Sequence, residues 1–189
     1  MCDTVINIIS LPKVSDFQAA IRPFLNQGSR IVRERIDLDT NDEWRDIILP
    51  TGLHEIKEFL ELDFNKILPM PDSIAATLPA GEDVYDPSSS ESVGWFALLE
   101  ENLKSFGHED WYNWSFANWG CKWGTCDCDF AKDGKSLKFC TEYHPPIAGL
   151  KKLSKILQTP LFLEYDDFEG TGTIVIQIDG SEDRTYNKR

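Results

Sequence analysis

The chain has no stretch approaching the ~20 apolar residues that a membrane-spanning helix needs, and no basic region followed by a long apolar run near its first residue. Both absences point to a cytoplasmic protein without membrane contact. Basic residues are scarce, with 19 Lys and Arg against 32 Asp and Glu, a net charge of −13. A surface of that sign repels phosphates, which argues against direct nucleic-acid or anionic-lipid binding and favours a basic or neutral protein partner. The five cysteines, at positions 2, 121, 126, 128 and 140, are an odd number in a chain with no export signal. Reduced thiols are therefore expected, not a disulfide framework.

The vocabulary of catalysis is equally thin. His54 has no second histidine near it, and Gly170-Thr171-Gly172-Thr173 lacks the following helix that a phosphate-binding loop requires. Its glycines are expected to shape a hairpin turn. Cys121, Cys126, Cys128, Cys140 and His144 supply soft ligands, but their spacing lacks the paired C-x2-C knuckles of a zinc site. No cofactor and no metal are expected. Were a metal bound, Cys121, Cys126, Cys128 and His144 would be its ligands, and the chain would be a zinc-binding module or a small enzyme. A nucleophilic cysteine would depend on His144 as its base. Asp127 and Asp129, with Lys138 across a hairpin, read as a solvated charge ladder, so no paired catalytic groups are found and a non-enzyme is expected.

What the chain has in abundance is aromatic side chains in one place. Residues 111–124 hold four of the six tryptophans together with Tyr112 and Phe116. Rings at that density dominate a core, and Trp114, Trp119 and Trp123 are expected to be buried in a packing hub.

Around the hub, residues 4–9 suit a strand. Apolar spacing from Phe17 to Leu25 predicts a helix capped by Ser15 or Asp16 and stopped at Gly28, with Pro23 bending its last turn. Residues 30–36 are strand-compatible, 53–60 have helical spacing, and 62–71 form an irregular connector ended by two prolines, after which Asp72 caps a short helix. Residues 79–91, rich in Pro, Gly, Ser and acid, read as an exposed loop. Helices are predicted over 93–106 and, capped by Asp110, over 111–119. Strands 125–131 and 135–141 flank Asp133-Gly134, which suits a two-residue type I′ turn. In that register Phe130 faces Leu137, Cys128 faces Phe139, and Cys140 opposes Asp127. A helix from Pro145 and Pro146 to Leu157 follows, then strands 161–165 and 172–178 and a tail with nothing to bury.

Strand, helix, insertion, two strands, helix, strand and then one extra strand is a split β-α-β order. It predicts an α+β ferredoxin-like sandwich, an antiparallel sheet with helices on one face. The domain is expected to span 1–189, with 28–124 as a large insertion carrying the connector, the acidic loop and the aromatic helix.

Three segments carry a family resemblance: residues 64–71 (FNKILPMP), 111–123 with NWGCKW at its end, and 139–144 (FCTEYH) running into Pro145 and Pro146. Together they resemble the YubB ferredoxin-like domain family of bacteriophage and plasmid proteins, over roughly residues 60–178. The chain departs from that pattern at Cys121, where the family usually has threonine, and at 124–128 (GTCDC), where it has aspartate. The resemblance implies this fold and a mobile-element accessory role, with no catalytic residues to transfer. The function expected is therefore protein binding, inhibiting a host nucleic-acid-binding defence complex through an acidic surface. Glu82, Asp83, Asp86, Glu109, Asp110, Trp111 and Lys122 are the candidate contact residues.

Overall fold

The computed structural model describes residues 4–32, 55–77 and 90–189. The acidic loop with Glu82, Asp83 and Asp86 lies outside them, as do Cys2 and His54.

Strand β1 (Thr4–Ser10) turns Val5, Asn7 and Ile9 into the core. Buried Asn7 donates from Nδ2 to the Val5 carbonyl at 3.1 Å and to Thr141 Oγ1 at 2.9 Å. Helix α1 (Phe17–Ile21) starts where the Asp16 carboxylate accepts from the Ala19 N–H at 3.0 Å, and buries Phe17 and Ile21. The expected helical run to Leu25 is cut short. Pro23 falls in a 3-10 turn, Arg22–Phe24, and strand β2 (Leu25–Val32) begins at once.

Strand β2 pairs antiparallel with β3 (Glu55–Leu62), Leu25 opposite Leu62, in a small separate sheet. The helix predicted over 53–60 is thus a strand from Glu55 onward. Four apolar residues in a short run fit either period, and strand pairing decided between them. Thr125 ties this small sheet to the main one, since its Oγ1 accepts from the Leu62 N–H at 2.8 Å and donates to the Leu62 carbonyl at 3.1 Å.

The other described elements of the insertion are helices: α2 (Phe64–Ile67), α3 (Asp72–Ala75), α4 (Ser90–Phe106) and α5 (Trp111–Asn118). Then come β4 (Cys126–Phe130), β5 (Ser136–Glu142), α6 (Ile147–Leu157), β6 (Leu161–Asp166), β7 (Gly170–Ile176) and β8 (Glu182–Lys188). The six-stranded antiparallel sheet has the order β4-β5-β1-β6-β7-β8. Its first four strands and helices α1 and α6 form the ferredoxin-like α+β sandwich, extended by two strands on the β6 side. Phe17, Ile21, Leu150 and Leu153 from the helices meet Ile9, Leu137, Phe139, Leu163 and Ile174 from the strands. The other sheet face is open, with Ile6 and Phe162 exposed.

Three local expectations change. The β4–β5 connection is a turn over 131–134, in which the Gly134 N–H bonds to the Ala131 carbonyl at 2.8 Å and the Ala131 N–H to the Ser136 carbonyl at 3.0 Å. Only Gly134 (φ 71°) has positive φ there, whereas a type I′ turn needs two such residues. Gly172 lies within a strand and not a turn: a Cβ there would meet the Tyr165 ring at 2.2 Å, so the close ring approach requires glycine. The tail forms β8, which is held by main-chain pairing with β7 while burying no side chain fully. Among the described residues no helix is long and apolar enough to cross a membrane.

Trp119 sits at 6% exposure, 6.0 Å from the stacked Phe64 ring and 5.5 Å edge-on from Trp114. We expect Trp119→Ala to cost about 3–5 kcal/mol in urea unfolding. Thr125→Val leaves the buried Leu62 amide without its hydroxyl partner, and is expected to cost about 1–3 kcal/mol, with Thr125→Ser restoring most of it.

Candidate functional site

Helix α5 is fixed at its start by buried polar groups. Asp110, 2% exposed, accepts from the Asn113 N–H at 2.8 Å and from Asn113 Nδ2 at 2.9 Å. Thr77 Oγ1 accepts from the Trp111 N–H at 2.9 Å. Asn102 donates to the carbonyls of Ser73 and Glu109, each at 3.1 Å, which seats α4 beside this junction. Trp114 and Ser115 point inward. The Ser115 hydroxyl lies 3.0 Å from the Tyr112 carbonyl and 3.1 Å from that of Lys122, and so draws the segment after the helix back along it.

That return path builds an outward aromatic face. The Trp123 ring lies 4.5 Å from Trp111 at 32°, and Trp111 stands edge-on to Tyr112 at 5.9 Å. Tyr112 meets Phe116 at 5.0 Å, and Phe116 meets His144 at 6.0 Å. The Lys122 ammonium sits 4.8 Å from the Trp123 centroid and 5.4 Å from that of Tyr112, within cation–π range of both. Beyond His144 the surface opens into a groove of about 440 Å³ lined by Gly120, Pro145, Ala148, Tyr165 and Arg184.

Trp123, expected in the core, is 47% exposed. Cys121 takes the inward position instead, fully buried, with its thiol donating to the Trp123 carbonyl at 2.9 Å. Of the candidate contact residues, Trp111 and Lys122 come together on this face, and Glu109 is exposed just before α5. Asp110 does not join them, because its carboxylate is buried as the helix cap. Tyr112, Phe116, Trp123 and His144 complete the face and were not among the predicted contacts. The Tyr112–Phe116 pair was visible as i,i+4 spacing, but the Trp111–Trp123 contact depends on a chain reversal that spacing does not encode.

The metal ligands weighed from sequence do not converge. Cys121 lies in the core, His144 is exposed beside Phe116, and Cys128 is buried with its sulfur 3.3 Å from the Leu62 N–H and 3.2 Å from Thr125 Oγ1. Cys126 is exposed. Among the described residues no three His, Cys, Asp or Glu groups are placed to share an ion. The hairpin register also shifts. Phe130 faces Leu137 and Asp129 faces Lys138, but Asp127 (φ 51°) lies in a bulge, so Cys126 and not Asp127 opposes Cys140.

Burial pushes the Cys121 thiol up to about 12. Its unfolded counterpart ionises first as pH rises, so its contribution to stability is fully present below about 9 and is lost on the way to about 12. We expect urea midpoints to fall across that window, and Cys121→Ala to remove part of the fall. Alkylation of Cys121 at neutral pH should require unfolding.

No protein family matches the chain, and no curated protein does. Among solved structures, the crystal structure of protein api92 from Yersinia pseudotuberculosis, described with the family DUF1281, is similar at 16% identity and a TM-score of 0.36. The match covers 49% of this chain and 36% of that one.

Proposed function

We propose that the chain acts by binding a host protein through the outward aromatic face of α5. The observation that carries this reading is the Trp111–Trp123 pair, rings 4.5 Å apart with Trp123 left 47% exposed and Lys122 held against it. Rings that serve packing alone are covered by their own fold, as Trp114 and Trp119 are, whereas tryptophans presented to solvent are over-represented among the residues that dominate interfaces.

Aromatic rings also stack on single-stranded nucleic acid, but net charge here opposes phosphate. Carboxylates recur around the molecule: Glu109 before α5, and Asp129, Glu142, Glu164, Asp166 and Asp183 along the strands. They favour a basic partner and speed its approach. On this reading, supported by the resemblance to phage and plasmid proteins, the chain is a mobile-element accessory protein of the host cytoplasm. Its partner is a basic nucleic-acid-binding complex of host defence, whose phosphate groove an acidic surface can occupy. It is not an enzyme. Glu82, Asp83 and Asp86 add to the same net negative charge.

The test is affinity capture from host lysate with wild type and variants side by side. Trp123→Ala should weaken retention of the captured partner by about thirty-fold, the effect of losing about 2 kcal/mol at an interface hot spot, with an unchanged melting curve. Charge reversal at Glu82, Asp83, Asp86 and Glu109 should flatten the salt dependence, and DNA or RNA should compete. Equal capture by wild type, Trp123→Ala and Lys122→Glu, or turnover of a small substrate that depends on Cys128 or His144, would overturn the reading.

A further inference from the structure

The bulge at Asp127 places two cysteines opposite each other across β4 and β5. Cys126 and Cys140 are register partners, Cys126 exposed and Cys140 half-buried, on the open face of the sheet where Ile6 pairs with Cys140 on the other side. The Cys126 thiol points across the ladder toward Cys140, its sulfur 3.9 Å from the Cys140 carbonyl oxygen. Partners in an antiparallel ladder have Cα atoms about 4.5–5.5 Å apart, inside the span of about 4.4–6.8 Å that a disulfide bridges. The other described thiols cannot join: Cys121 and Cys128 are buried in the core.

We propose that Cys126 and Cys140 are a cross-strand dithiol that closes to a disulfide by exchange with a low-molecular-weight disulfide such as oxidised glutathione. The exposed Cys126 thiol loses its proton and attacks one glutathione sulfur. A Cys126–glutathione bond forms, the glutathione disulfide breaks, and the first glutathione leaves and takes up a proton. The Cys140 sulfur, already beside Cys126, then gives up its proton and attacks the Cys126 sulfur, forming the Cys126–Cys140 bond and expelling the second glutathione as a thiol. Two protein thiols are oxidised, one small disulfide is reduced to two thiols, and no other reactant is needed.

Partial desolvation, then the negative charge of Asp127, raises the Cys126 thiol to about 11, so little thiolate exists at neutral pH and the first step is slow. The second step is intramolecular and outruns it. In a reducing compartment the pair rests as thiols, and it responds when the disulfide pool rises. Closure pins the bulged strand β4 to β5 and replaces two polar S–H groups beside Ile6 with a bridge, changing the open sheet face without moving the core.

The experiment uses full-length protein with Cys2→Ser, incubated folded with oxidised glutathione, acid-quenched and mapped by mass spectrometry. The expected product has lost two hydrogens, carries no glutathione and yields a peptide joining Cys126 to Cys140. Its formation should accelerate about tenfold per pH unit below about 11. In the same background Cys140→Ser should accumulate a glutathione adduct on Cys126 that wild type does not retain. A stable adduct on Cys126 with Cys140 present, a bridge to Cys121 or Cys128, or no reaction while the denatured chain oxidises readily, would each overturn the proposal.

Discussion

Trp119 is the contact on which the arrangement of layers depends. Its indole Nε1 donates to the Leu68 carbonyl at 3.0 Å, its ring stacks on Phe64, and its own carbonyl accepts from the Gly149 N–H at 2.9 Å. One residue thereby joins the short helix α2, the end of α5 and the first turn of α6. The last of these belongs to the ferredoxin-like sandwich, while the first two belong to the insertion. Because an indole offers both a large apolar area and one donor that must be satisfied when buried, the same group supplies adhesion and direction.

The outward face follows from this inward anchor. With Trp114 and Trp119 committed to the core and Trp111 half-buried against it, Tyr112 and Phe116 are left partly exposed on a helix only eight residues long. The chain then turns back over Ser115 and brings Trp123 to Trp111. Core and contact surface are thus two sides of one element, which explains why a single short stretch holds so many rings.

The sandwich was legible in the sequence because its signals are redundant. β1, β5, β6 and β7 alternate, α6 has a continuous apolar face between prolines, and Asp110 and Asp16 sit where caps are needed. Of the β2–β3 ribbon only the end of β2, within the strand-compatible run 30–36, was legible; β3 was not, since Ile56, Phe59 and Leu60 satisfy a helical period as well as a strand and only the partner strand distinguishes them. β8 was missed for a related reason: Glu182, Asp183, Arg184 and Asn187 carry no hydrophobic pattern, and main-chain pairing alone makes them a strand. At the candidate site, Trp111 and Lys122 were identifiable from composition. The exposure of Trp123, the burial of Asp110 and the meeting of Cys126 with Cys140 arise from a reversal, a cap and a bulge, each a matter of one residue's backbone.

The two outer strands of the large sheet bear on how copies of this chain meet one another. A sheet that ends in a flat, apolar strand offers its free amides and carbonyls to any neighbour and invites fibre-like stacking. Here one end is β8, with Glu182, Asp183, Arg184 and Lys188 along it, and the other is β4, kinked at Asp127 and accompanied by the Thr125–Leu62 link to the small sheet. Charge at one margin and irregular backbone at the other make strand addition unfavourable at both. The molecule can therefore leave Trp123 exposed without the margins of its large sheet serving as a template for self-association.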